Sequence, residues 1–171
     1  MKRLFITISF IAITITNVLA ADNYNFSAIC SSGQTLYYKI ISSVEPFTVK
    51  VTYPDYTNSS YYYNYTRPSG GLTIPETVVY NGNIYSVISI DNYAFYNCTS
   101  LTSINIPNSV KSIGNYSFYG CVGLKSIVIP SSVASIGDYA FKSCSNVNEF
   151  VFEGEVPPVF GTNVFDYTPS G

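Results

Sequence analysis

The sequence predicts a β-rich solenoid of 23-residue units preceded by an antiparallel β cap, and three observations carry that prediction. Cys98, Cys121 and Cys144 recur at one constant interval, and the same interval separates Phe95, Phe118 and Phe141, and Ile90, Ile113 and Ile136. Each unit opens on a run such as Leu101-Thr-Ser-Ile104-Asn-Ile106, whose last positions alternate polar and apolar with the period of a strand, and a proline then stops it. The segment ahead of the repeats does not share their period. It holds two strand-like runs, Leu36 to Ile41 and Thr48 to Tyr53, joined through Ser42 to Pro46 as an antiparallel pair.

The elements follow in chain order. Residues 1–20 read as a signal peptide: Lys2 and Arg3 start it, Leu4 to Val18 is mostly apolar, and Val18-Leu19-Ala20 suits a cleavage site. A membrane anchor is the rival reading, but spanning a bilayer takes about 20 apolar residues, and Leu4 to Val18 is shorter than that and diluted by hydroxyls and an amide. No second apolar segment follows. The mature chain is expected to be secreted, or to sit at the cell surface or in the periplasm, with no transmembrane span after cleavage.

Residues 21–68 read as the cap, because the first coil of a solenoid otherwise leaves an open sheet edge. Residues 69–171 read as the solenoid, in units 69–100, 101–123, 124–146 and a partial 147–171. The first unit is longer than the others, and the excess falls in Val78 to Val87. Asn81-Gly82 inside that segment predicts a two-residue type I′ hairpin, whose central positions both need positive φ. Leu101, Ile104 and Ile106 are expected inside, with Val110 and Ile113 as a second inward segment. Gly114 and Gly137 are expected to allow a tight corner, and Asp91 departs from that pattern. Tyr-Ala/Ser-Phe-x-x-Cys is expected to close the circuit as a turn of 3₁₀ or α-helix. Coils stacked at about 4.8 Å then bury one continuous column. In the last unit Glu153 replaces the proline, Phe165 falls one position later than the period places it, and Thr168 takes the cysteine's place, so the array decays or is cut short.

The unit LxxIxIPxSVxSIGxYAFxxC resembles the BspA-like leucine-rich repeat of bacterial and some protist surface proteins. The resemblance covers Ser69 to about Phe165, and the stretch with Cys30 to Gly33, Leu36-Tyr-Tyr38 and the Asn-Gly hairpin is similar to the segment often found ahead of such repeats. It implies a right-handed solenoid, an extracellular place, and binding to host proteins or other cells. It implies no catalytic residues.

Composition narrows the function independently. Lys and Arg number 8 against 10 Asp and Glu, and removing Lys2 and Arg3 makes the mature chain more acidic. Only 11% of residues are charged, against about 25% in an average domain, so the basic footprint that nucleic acid requires is missing. His is absent, which removes the commonest general base and metal ligand. No catalytic residue, cofactor or metal site is assigned, and no enzyme activity is expected. Ser and Thr are abundant but have no His or adjacent Lys to activate them. Glu149, Glu153 and Glu155 read as a solvated terminal face. The repeated cysteines would stack with parallel Cβ vectors, which favours buried thiols over disulfides. Cys30 has no assignable partner.

Two surfaces remain as candidates. One is a concave strip of outward strand positions: Thr102, Ser103 and Asn105, then Lys125, Ser126 and Val128, then Asn148, Glu149 and Val151. The other is an aromatic patch of Tyr61, Tyr62, Tyr63 and Tyr65, where alternation would bury every second ring. The reading is an exported, non-catalytic module for protein interaction or adhesion, its partner a protein of a host or neighbouring cell surface. The alternatives are a carbohydrate-binding or accessory module using the tyrosine-rich cap, with a glycan as partner, or a truncated fragment of a larger surface protein.

Overall fold

A computed structural model describes residues 23–55, 61, 62 and 65–165. The proposed signal segment, Tyr63 and Thr168 lie outside the described residues.

The first three strands are β1 (Phe26–Ile29), β2 (Thr35–Ser42) and β3 (Thr48–Thr52). They pair antiparallel, with Phe26 opposite Tyr38 and Tyr38 opposite Val51. This places Phe26, Tyr38 and Val51 side by side in the core. The two runs read from the sequence are β2 and β3. β4 (Gly70–Thr73) follows, then β5 (Thr77–Tyr80) and β6 (Asn83–Ile90), joined by the Asn81-Gly82 turn. Both turn residues have positive φ, +49° and +79°, as a type I′ hairpin demands.

β3 also runs parallel to β6, with Val51 opposite Ile90. The N-terminal strands are therefore continuous with a sheet of the repeats. That sheet proceeds through β8 (Ser112–Ile113), β10 (Ser135–Ile136) and β12 (Val159–Phe160), all parallel. The opposite face is built from the LxxIxI runs. β4 pairs with β7 (Leu101–Asn105), and β9 (Ser126–Ile129) pairs with β11 (Glu149–Phe152), again parallel. The strands stop where prolines remove the next donor: β7 ends just short of Pro107, β9 directly before Pro130.

Equivalent side chains stand in columns between the two faces. Phe95, Phe118, Phe141 and Phe165 stack with ring centroids 5.0, 5.1 and 6.0 Å apart. Leu101, Leu124 and Val147, Ile104 and Ile127, and Ile90, Ile113 and Ile136 are all buried. Ile136 pairs with Phe160, one position beyond the regular interval, so the sheet register absorbs the extra residue of the last unit.

One expectation needs correction. The Tyr-x-Phe-x-x-Cys segment is neither 3₁₀ nor α-helix, and no helix occurs among the described residues. Its first residue sits at positive φ in each coil (Tyr93 +60°, Tyr116 +54°, Tyr139 +56°), which breaks a helical run. Alternate amides bond within the turn, as Cys98 N–H does to Phe95 C=O at 3.1 Å, while the others bond across to the next coil, as Phe95 N–H does to Ser117 C=O at 2.7 Å. A helix would use every amide internally and forfeit the bonds between coils.

Gly114 and Gly137 take the tight corners expected of them, because successive coils approach too closely there for a side chain. A Cβ on Gly114 would lie 2.5 Å from the Asn92 backbone nitrogen, and one on Gly137 would lie 2.7 Å from that of Asn115. Asp91 escapes the constraint because β3, with no such corner, lies over it. Its carboxylate accepts hydrogen bonds from Lys50 Nζ at 2.8 Å and Thr52 Oγ1 at 3.0 Å.

Candidate functional site

The strip of outward strand positions is a real surface. Thr102, Ser103 and Asn105 on β7, Lys125, Ser126 and Val128 around β9, and Asn148, Glu149 and Val151 around β11 are all exposed. Period-two alternation along β9 puts Ile127 and Ile129 in the core and leaves Ser126 and Val128 outside. Pairing of β9 with β11 then sets Ser126 beside Glu149 and Val128 beside Val151. None of the nine is tied by a side-chain hydrogen bond or ion pair to another described residue.

The strip ends at a cleft of about 380 Å³. Asn105 and Val128 belong to both. Pro75, Pro107 and Pro130 also line it, and its charged lining residues are Glu76 and Glu153. The cleft was missed at the sequence level, although the recurring prolines that end each strand mark its position.

The tyrosine stretch is divided by the fold. Tyr62 is 2% exposed, and its hydroxyl donates to the Ala94 carbonyl at 2.6 Å, so it is a core residue and drops out of any exposed patch. Tyr65 packs edge-on against Tyr24 and Tyr37. Tyr61 points the other way and stacks on Tyr93 at 4.6 Å. Tyr65 and Tyr37 face a second groove of about 430 Å³, which also touches Gln34, Thr66 and Arg67.

Among the ionisable groups of the described residues, the thiols are buried and the glutamates of the last unit are exposed. Cys30, Cys98, Cys121 and Cys144 are buried free thiols, and Cys121 and Cys144 donate to the carbonyls of Phe95 and Phe118 at 3.0 and 3.1 Å. Burial pushes Cys98 and Cys144 up to about 12 and Cys121 well above its ordinary value, so all three stay protonated at neutral pH. Glu149, Glu153 and Glu155 are exposed. Among the described residues no three His, Cys, Asp or Glu side chains are placed to hold one metal ion, and no helix is long and apolar enough to cross a membrane.

A ladder of corner side chains had escaped the sequence reading. Asn92 Oδ1 accepts the Asn115 N–H at 2.7 Å, Asn115 Oδ1 accepts the Asp138 N–H at 2.8 Å, and Asp138 Oδ1 accepts the Thr162 N–H at 2.6 Å. The signal was present as the Asn or Asp after each corner residue.

Residues 59–170 match the sequence model of the family described as BspA type Leucine rich repeat region (6 copies). No curated protein matches the chain. Among solved structures it is similar to a leucine rich cell surface protein from Faecalibacterium prausnitzii, at 25% identity and TM-score 0.58, over 84% of this chain and 34% of that one. A leucine-rich repeat protein from Bacteroides ovatus is 29% identical with TM-score 0.54, over 72% of this chain and 30% of the other. The pneumococcal vaccine antigen PcpA, 18% identical with TM-score 0.50 over 76% of this chain and 45% of its own, shares the fold. The chain thus spans about a third of the length of the first two.

Proposed function

Since the chain belongs to the BspA-type leucine-rich repeat family, we propose that it acts outside the cytoplasm as a non-catalytic module for protein interaction and adhesion. The observation that carries this reading is the strip: nine exposed, mostly small side chains on and beside β7, β9 and β11, in register across β9 and β11, with no side-chain bond among the described residues to break when a partner arrives. Small residues let a partner's backbone approach closely, and Val128 beside Val151 adds an apolar centre. The cleft at its end, flanked by Glu76 and Glu153, favours a partner segment that carries Lys or Arg.

The rest of the reading follows from that role. Residues 1–20 direct export and are removed. Residues 21–68 close the first coil. Residues 69–171 wind right-handed with the strip on the concave side.

The test is binding of the purified mature chain to a panel of extracellular matrix proteins immobilised on a sensor surface. Asn105→Lys combined with Lys125→Glu should weaken any binding by about tenfold or more, as loss of central interface contacts does. Undiminished binding would place the site elsewhere.

A second reading has its own observation. The groove beside Tyr65 combines aromatic rings, amide and hydroxyl groups and Arg67, the mixture that a sugar with apolar faces and polar edges would need. A glycan array probed with wild type and Tyr65→Ala separates the two readings, because only a glycan site there would lose signal.

A further inference from the structure

The half-buried tyrosines form two files along one side of the coils. Tyr61, Tyr93, Tyr116 and Tyr139 stack with centroids 4.6, 5.3 and 4.8 Å apart and planes within 23° of parallel. Tyr96 stacks on Tyr119 at 5.1 Å beside them. Edge contacts of 5.8 Å (Tyr93 to Tyr96) and 5.7 Å (Tyr116 to Tyr119) join the files. Other easily oxidised side chains are absent or placed elsewhere. The chain has no Trp and no His, its single Met is Met1, and Cys98, Cys121 and Cys144 are buried and protonated. An oxidant arriving from solvent on this side therefore meets phenols first.

We propose that this file is an oxidative cross-linking site, at which a one-electron oxidant of the haem-peroxidase class closes dityrosine bonds between successive coils. Each of two stacked phenols gives one electron to the oxidant and its hydroxyl proton to water. The two phenoxyl radicals join through a new bond between carbons ortho to the oxygens, and the hydrogen on each of those carbons moves to its own oxygen to restore both aromatic rings. Two electrons and two protons leave in all, and one hydrogen peroxide takes them up as two waters.

Spacing selects the partners. Four rings in file can couple as two pairs, and the two shorter gaps are Tyr61 to Tyr93 and Tyr116 to Tyr139, with the wider 5.3 Å gap between them. The Tyr116–Tyr139 bond would staple two successive coils, restricting the unfolded chain as any cross-link of a loop does.

The purified chain is treated with a haem peroxidase and hydrogen peroxide, and monomeric product is assayed for dityrosine fluorescence and, after proteolysis, for linked peptides lighter by two hydrogens. The Tyr116–Tyr139 link should dominate over links to Tyr24 or Tyr85 by about tenfold, the advantage of held proximity, and the unfolding midpoint should rise. Tyr116→Phe with Tyr139→Phe keeps the stacked rings and should abolish that link, while Tyr24→Phe with Tyr85→Phe should leave it unchanged. The proposal fails if the native monomer carries no dityrosine, if the links match those of the urea-unfolded chain, or if the Tyr116→Phe/Tyr139→Phe variant retains the wild-type yield.

Discussion

The side-chain oxygen of Asn115 accepts the backbone N–H of Asp138 at 2.8 Å, binding one corner to the equivalent corner of the next coil. The corner amide cannot reach a strand partner, and the Asn oxygen answers it. Asn115→Ala leaves that part-buried amide without its acceptor, which costs about 1–2 kcal/mol. Asn115→Asp keeps an acceptor of the kind Asp138 presents to Thr162 and should cost less than half as much. Urea denaturation of both variants checks the pair. Equal losses would mean that the bond is not what holds the corner.

Gly137 should tolerate no side chain. An added Cβ would meet the Asn115 backbone nitrogen at 2.7 Å and the Gly114 carbonyl carbon at 2.9 Å, so a backbone segment must move. Gly137→Ala should therefore destabilise by about 2 kcal/mol or more, in the range of overpacked cores. Gly33→Ala is the contrast: its Cβ would meet nothing within 4 Å, and only its φ of +78° opposes the change. Its cost should be nearer to about 1 kcal/mol. Thermal unfolding of the two variants ranks them.

Much of this architecture was legible because a solenoid writes its geometry into a period. Phe118 and Phe141 hold the same place in successive units and stack at 5.1 Å; Ile104 and Ile106 face the core as alternation requires. What a period cannot show is how the backbone between anchors spends its hydrogen bonds. The Tyr116 segment has helix-compatible residues, yet its amides bond across coils, and only its left-handed φ reveals why. Of the sites, the strip followed from strand alternation, and so did the parting of Tyr61 from Tyr62, but not which of the two would be buried. Neighbours in sequence, they part to a half-buried file and to the core, and the one that goes inside is set by a partner distant in sequence, the Ala94 carbonyl that accepts from the Tyr62 hydroxyl.

The Phe column predicts a gradient of stability. Phe118 is fully buried between Phe95 and Phe141, so Phe118→Ala should cost about 3–5 kcal/mol. Phe165 lies at the end of the file, half-buried and 6.0 Å from Phe141, and its alanine variant should cost less than half of that. Guanidinium denaturation midpoints decide the ordering, and a smaller loss at Phe118 would break the column.

The buried thiols predict alkaline weakness. Desolvation raises Cys98 and Cys144 from 9.0 to about 12 and lifts Cys121 well above the same starting value. The unfolded chain then binds fewer protons than the native one once pH exceeds about 9, so stability is complete below that value and falls as pH rises toward about 12. Burial of Tyr62, whose phenol is likewise raised, adds to the slope. Urea midpoints should hold steady from about pH 7 to about 8.5 and decline steadily above about 9.5, with a shallower decline in Cys121→Ala, which removes one titrating group. At about pH 8 the native thiols should resist iodoacetamide and become reactive only in denaturant, since the thiolate is the nucleophile. Rapid alkylation of all three in the native chain would show them open to solvent and undo the buried column on which the coil stack depends.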